Sequence, residues 1–315
     1  MLSEAAGIEP AGLAGLGDQV GDAVGARWPD LVEEIDGIAS GAGERAEELL
    51  AVNARTELLG GAVPAAECSL IGHVRGETVR LAQNWDWHPE LAASGVVWAV
   101  EGAGGWFTTV TEAGMLAKLG VSGAGIACGL NMLTSSLDGG VGGVPIHVVL
   151  RVVLDRCGSL ADALALLTQT PVSASSSITL AASGPDGAAL VAVELSPGGA
   201  ALCRPDADGV LVHTNHFVHP PARGRDTQPA EHPGTLLRHR HLVEALAAGA
   251  EPTAALRTHL PRTAPVCRHA DSRVPWPDRR ATLLCMTADP GRPALAVSDG
   301  PPCETPLEPV PLPRA

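Results

Sequence analysis

The spacing of apolar positions changes character once along the chain. Over residues 1–63, Val20, Val24, Trp28, Leu31, Val32, Ile35 and Ile38 recur at helical intervals, and Pro29-Asp30 marks a helix start or a kink. Gly37, Gly41 and Gly43 loosen the middle of this region. A second helix over 44–59 sets Leu49, Leu50, Val52, Leu58 and Leu59 on one side and stops at Gly60-Gly61. Beyond Pro64 the helical period gives way to strand-like runs. Residues 68–74 carry apolar side chains at 70, 71 and 74, Arg75-Gly76-Glu77 supplies a hairpin turn, and 78–84 returns as a strand. Further strands are predicted over 96–100 and 106–111. The glycine-spaced apolar run 123–131 suits close packing inside a sheet.

Two helices follow over 144–157 and 159–169, the second with Ser159 as its cap and Asp162 in its first turn. Strands are predicted over 177–183, 188–195 and 200–204, separated by Gly184-Pro185-Asp186-Gly187 and Pro197-Gly198-Gly199. A strand over 210–214 runs into Asn215-His216-Phe217, and the Pro-, Arg- and His-rich stretch 220–234 reads as a surface loop. Helices over 235–248 and 252–260, strands over 281–287 and 294–297, and an extended Pro-rich tail from Gly300 complete the chain. Successive hairpins, with helices grouped rather than alternating, predict an α+β fold of antiparallel sheets.

Composition narrows the function. The 315 residues are 45% hydrophobic and 18% charged, as in a globular protein, and the net charge of −14 argues against nucleic acid or an anionic membrane as partner. Lys118 is the single lysine. The start of the chain lacks the pattern of a signal peptide and no long apolar stretch spans a membrane, so a cytoplasmic location is expected. Seven cysteines, at 68, 128, 157, 203, 267, 285 and 303, form no C-x-x-C pair and predict neither a disulfide framework nor a structural zinc site. His213, His216 and His219, spaced by three at a strand exit, do not share a face and are not expected to bind metal.

Cys68 carries the candidate chemistry. A cysteine opening a strand after a loop can bring its thiol to the preceding carbonyl, here that of Glu67. An N-to-S acyl shift followed by hydrolysis of the thioester then separates Glu67 from Cys68. The freed α-amine, with an ordinary pKa of about 7.7–8.0, can act as base for the thiol on the same residue.

The stretch A-E-C-S-L through L-A-Q-N-W-D-W-H, at residues 66–88, resembles the start of penicillin acyltransferase-type Ntn hydrolases (acyl-CoA:6-aminopenicillanate acyltransferase-like). So do G-A-G-I-A-C-G-L-N at 123–131, V-L-V-H-T-N-H-F at 210–217, and C-R-H followed by R-R-A-T-L-L between 267 and 284, with the closing G-P-P-C-E. The resemblance implies a four-layer αββα sandwich, with 1–67 as a helical pro-segment and 68–315 as the catalytic segment of one structural domain. It implies a heterodimer of the two fragments, acting on a small-molecule amide or acyl donor. Acyl-CoA is a candidate co-substrate, and no cofactor or metal is expected. Cys68 would be nucleophile, Asp86 would orient its amine, Asn215 would donate to the oxyanion, and Asn131 would add a polar contact. An arginine near the C-terminal strands would complete the cluster, Arg280 ahead of Arg268. The sequence departs from the family pattern at Glu67 and Ser69, which flank the cysteine, and at Ser122 and Ser175–Ser177. Two other readings compete: an uncleaved Cys–His hydrolase pairing Cys68 with His213 or His216, and a non-catalytic binding or maturation protein on the same fold.

Overall fold

A computed structural model describes residues 9–59, 68–102, 104–220, 225–276 and 278–313. Four helices come first: α1 (Pro10–Gly25), α2 (Pro29–Ala42), α3 (Ala46–Asn53) and α4 (Arg55–Leu59). Pro29 starts α2 rather than kinking a longer helix, and Gly43 ends it in the left-handed conformation. The helix expected over 44–59 is broken at Ala54. Gly60 and Gly61 lie outside the described residues.

Thirteen strands and five further helices follow among the described residues. They are β1 (Ser69–Arg75), β2 (Thr78–Trp87), β3 (Gly95–Gly102), β4 (Gly105–Glu112), β5 (Leu119–Ser122), β6 (Ile126–Met132), α5 (Ile146–Arg156), α6 (Leu160–Gln169), β7 (Ser176–Gly184), β8 (Gly187–Ser196) and β9 (Gly199–Cys203). Then come β10 (Val210–His213), α7 (Gln228–Glu231), α8 (Gly234–Ala247), α9 (Pro252–Leu256), β11 (Ala281–Asp289), β12 (Ala294–Val297) and β13 (Glu308–Pro309). Ser159 caps α6 as its sequence position predicts, its hydroxyl accepting from the Asp162 amide at 3.2 Å. Two expectations shift. The helix predicted over 252–260 ends at Leu256, and the tail adds the short strand β13 against β12.

The strands form two antiparallel sheets, ordered β10-β1-β2-β11-β12-β13 and β3-β4-β5-β6-β7-β8-β9. They pack face to face, with β1 and β2 against β6, β7 and β8. Helices α5 and α6 cover the outer face of the second sheet, and α8 and α9 cover that of the first. The layers are therefore αββα. On the outer face of the first sheet, Ile71, Ala82, Val212 and Cys285 pack with Leu242 of α8 and Leu256 of α9. Alternate residues of the same strands, Leu70, Leu81, Trp85 and Met286, join the main core. Helices α1–α3 pack on one another, and α3 reaches α5.

Two glycines are required by geometry. Gly76 has φ +58° in the β1–β2 turn, where Arg75 pairs with Thr78. A Cβ on Gly129 would lie 2.3 Å from Leu70 Cδ1 and 2.5 Å from Gln83 Oε1, so the missing side chain lets the two sheets close.

Gln83 links the sheets. Strand β5 pairs with β6 only at Ala127 and Cys128, and the following residues of β6 lack a ladder partner on that side. The Leu130 amide donates to Gln83 Oε1 at 3.1 Å, and Gln83 Nε2 donates to the Leu130 carbonyl. A side chain of one sheet thus completes the backbone ladder of the other. Gln83→Met keeps the volume and strands one buried donor and one acceptor, each costing about 1–3 kcal/mol. Denaturant unfolding should show a loss of about 2–6 kcal/mol with the native circular dichroism spectrum retained; an unchanged midpoint would mean that the bridge contributes nothing.

Candidate active site

Strand register assembles the site. Leu70 pairs with His213, so the antiparallel ladder continued by two residues sets Cys68 opposite Asn215. On the other side Ser69 pairs with Asn84, which carries Cys68 to the level of Trp85 and Asp86. Strand β11 then pairs Thr282 with Asp86. Four strand ends thereby deliver four of the polar groups.

The contacts follow this register. The Cys68 backbone nitrogen donates to Asn215 Oδ1 at 2.8 Å, and Arg238 Nη2 donates to the same oxygen at 2.9 Å. Asn215 Nδ2 donates to the Met132 carbonyl at 2.9 Å, and the Asn215 amide donates to Thr235 Oγ1. Asp86 is fully buried and its Oδ1 accepts from the Thr282 hydroxyl at 2.7 Å. Asn131, fully buried on β6, points its Nδ2 at the His213 carbonyl, 3.4 Å away.

Arg280 is buried beside His88 and Trp87. Its Nη1 lies 3.2 Å from His88 Nδ1, and its guanidinium sits 5.3 Å from the Trp87 ring centroid. Arg268 pairs its backbone with Thr282, in both directions, at 2.9 and 3.1 Å. The arginine bonded to Asn215 is Arg238, which sequence reasoning missed. It lies on the buried face of α8 with Thr235 and Leu242, three residues before and four after it. A guanidinium at a core position of an amphipathic helix was the available signal.

Glu67 lies outside the described residues, so the expected scissile bond does too. The Cys68 thiol is pushed up to about 12, first by burial and then by the Asp86 carboxylate. Neither His213 nor His216 is seen to bond it. His213 engages the Glu194 carboxylate through Nε2 and the Thr214 carbonyl through Nδ1, while His216 Nδ1 meets the Thr214 and Thr235 hydroxyls. These contacts do not favour the Cys–His pairings considered from sequence.

Cys68 borders a cavity of about 20 Å³, which fits roughly one water molecule. Its walls include Trp85, Trp87, Lys118 and Met132, with Arg55 and Thr56 from α4. A buried ion cluster stands beside it. Arg55 makes a bidentate pair with Glu112 at 2.7 Å, and Lys118 Nζ meets Glu112 Oε2 at 2.6 Å and the Trp85 ring centroid at 3.6 Å. Burial alone would raise the Glu112 carboxyl, but the two cations outweigh it and hold it well below the usual range. Burial lowers Lys118 to about 8.

A model of the acyl-coenzyme A:6-aminopenicillanic acid acyl-transferase family matches residues 74–298. The chain belongs to that family. The matched region contains Asp86, Asn131, Asn215, Arg238 and Arg280, and starts just after Cys68. Among curated proteins of the family's chemistry, the 40 kDa form of acyl-coenzyme A:6-aminopenicillanic-acid-acyltransferase from Emericella nidulans is 31% identical over 197 residues. That alignment takes in 61% of this chain and 53% of the relative, so the chain spans about half the length of the curated relative it matches. Among solved structures, penicillin V acylase from Agrobacterium tumefaciens aligns at 17% identity with a TM-score of 0.45, covering 74% of this chain and 83% of that one. A variant of conjugated bile acid hydrolase from Clostridium perfringens aligns at 12% identity and the same TM-score, covering 73% and 89%.

His88 gives the family scaffold a pH signature. Burial first, and then the Arg280 charge, lower His88 from 6.5 to about 4, so the folded protein holds it neutral. Between those values the unfolded chain binds a proton that the folded chain does not, so stability falls as pH drops from 6.5 towards 4. In His88→Gln that part of the acid limb should flatten by up to one proton's worth of slope, read from unfolding midpoints across the window. Identical slopes in both proteins would show that His88 is not neutral in the fold.

Proposed function

We propose that this family member is an autoprocessed N-terminal-cysteine acyltransferase or amidohydrolase that carries its substrate's acyl group as a thioester on Cys68. The observation that supports this most directly is the 2.8 Å contact between the Cys68 nitrogen and Asn215 Oδ1. That nitrogen is an amide here and becomes the α-amine if the bond to Glu67 is cut. An acceptor is already aimed at it.

In the proposed processing step the Cys68 thiol adds to the Glu67 carbonyl, the acyl group passes from nitrogen to sulfur, and water releases Glu67 as a carboxylate. Residues 1–67 stay bound as a helical chain and 68–315 form the second chain of a heterodimer. The thiol of the uncleaved chain, pushed up to about 12 by burial and by Asp86, is a poor nucleophile at neutral pH. Cleavage adds a base with an ordinary pKa of about 7.7–8.0 on the same residue.

In turnover the amine takes the thiol proton as sulfur attacks the carbonyl of a small N-acyl amide or other acyl donor, and passes it to the leaving group. Water, an amine or the thiol of coenzyme A then resolves the thioester; with acyl-CoA as co-substrate, it is the donor that loads Cys68, its coenzyme A thiol leaves with the proton, and an amine takes the acyl group. Asp86 stabilises the protonated amine electrostatically. The Asn215 amide, now bonded to Met132 at the cavity wall, turns to the oxyanion, and Asn131 adds a polar contact from the facing sheet. Arg280 supports this cluster through Trp87 and His88, while Arg238 holds Asn215 in orientation. The cavity beside Cys68 is far smaller than an acyl donor, so Arg55 and Thr56 must withdraw for substrate to enter.

Intact mass spectrometry of the wild type should give two fragments that meet between Glu67 and Cys68, and Cys68→Ala a single chain; a single chain in both proteins would overturn autoprocessing. In the cleaved enzyme, Asn215→Ala should fold normally and lose about 10²–10³ in turnover. Asn215→Asp, which keeps the acceptor and deletes the donor, should lose as much. Near-normal rates in the Asp variant would remove Asn215 from the oxyanion.

A further inference from the structure

Four residues that no local sequence motif connects meet at the edge of the outer layer on the first sheet. His259, Cys267 and His269 come from the loop after α9, and Cys303 comes from the C-terminal segment. One ligand-type atom from each lies within 4.8 Å of all the others. His259 Nε2 and His269 Nε2 are 3.1 Å apart, and they stand 3.4 and 3.1 Å from Cys303 Sγ. The two sulfurs are 3.5 Å apart.

We propose that these residues form a structural Zn²⁺ site of Cys₂His₂ type. A tetrahedral zinc with Zn–S near 2.3 Å and Zn–N near 2.0–2.1 Å sets ligand atoms about 3.3–3.8 Å apart along every edge. Four of the six separations, at 3.1–3.5 Å, lie at or just inside those edges, and the two between Cys267 and the imidazoles lie within 4.8 Å, as expected for ligands gathered near one centre. A disulfide requires about 2.05 Å between sulfurs, much shorter than the 3.5 Å found. Two thiolates balance the charge of a divalent cation, and four protein ligands leave no open position. The site is therefore structural rather than catalytic.

The orientation of His269 is a second observation. Its Nδ1 faces Glu304 Oε1 at 3.4 Å, while Nε2 on the other side of the ring points into the cluster. Carboxylate behind imidazole is the usual arrangement at a histidine that binds a metal.

The ligand-bearing segments are also fixed independently of any ion. Asn84 Nδ2 on β2 donates to the Leu256 and Val266 carbonyls, the Cys267 amide donates to Thr258, and the Arg268 amide donates to Thr282 Oγ1. Arg257 Nε donates to the Pro302 carbonyl at 2.7 Å, beside Cys303. The ion would fasten the C-terminal segment to this loop, and binding would release the two thiol protons.

The test uses the full chain, purified with reductant and without chelator. Elemental analysis should give one equivalent of zinc, and replacement with Co²⁺ should produce thiolate charge-transfer absorption with the visible bands of a tetrahedral site. Cys303→Ser, at a half-buried position, should lose part of the charge-transfer intensity and bind at least ten-fold more weakly. Glu304→Gln should weaken binding by about 10–100-fold without changing the spectrum. Three results would each overturn the proposal: no zinc in the wild type, Co²⁺ bound without thiolate charge transfer, or equal zinc affinity of wild type and Cys303→Ser in competition with a chelator.

Discussion

The ladder between β10, β1 and β2 is the constraint on which the candidate site depends. With Leu70 opposite His213 and Ser69 opposite Asn84, Cys68 has Asn215 on one side and Trp85-Asp86 on the other. A register slip of one residue would turn Leu70 from the core onto the outer face and take Cys68 away from Asn215 in the same step. Burial of the apolar face and alignment of the polar cluster are therefore enforced together. The hairpin turn at Gly76 fixes the β1–β2 half of this arrangement, and the long-range pairing with β10 fixes the other.

Polar groups in the interior are organised so that each sheet supports the other. Gln83 supplies from the first sheet the ladder contacts that β5 is too short to make, and Asn131 of β6 points its Nδ2 back at the His213 carbonyl of β10. The Arg55–Glu112–Lys118 cluster ties the N-terminal helices to the sheet beside Cys68. Removing Glu112 would leave Lys118 buried without its partner, a cost of about 3–5 kcal/mol. The N-terminal helices are thus held at the wall of the cavity by charge as well as by apolar packing.

Much of the fold was legible because its signals are local. The β1–β2 hairpin followed from Arg75-Gly76-Glu77, the β7–β8–β9 meander from its Gly and Pro turns, and the start of α6 from Ser159. The helix break at Ala54 was not legible, since no Gly or Pro marks it. At the site, resemblance to a family pointed to Cys68, Asp86 and Asn215, and sheet register brings these three into one cluster. Arg238 stayed hidden because its importance depends on which face of α8 is buried, a tertiary fact. Cys267 and Cys303 looked like isolated thiols for a similar reason. They lie far apart in sequence, and only the return of the C-terminal segment brings them together.

The solitary lysine has a practical consequence for the chemistry of the chain. Because arginine supplies every other basic side chain apart from histidine, Lys118 Nζ is the single side-chain primary amine in this sequence. Each internal scission adds one α-amine to it. Exhaustive amine labelling of the denatured protein is therefore a direct count of backbone breaks, against a background of a single side chain.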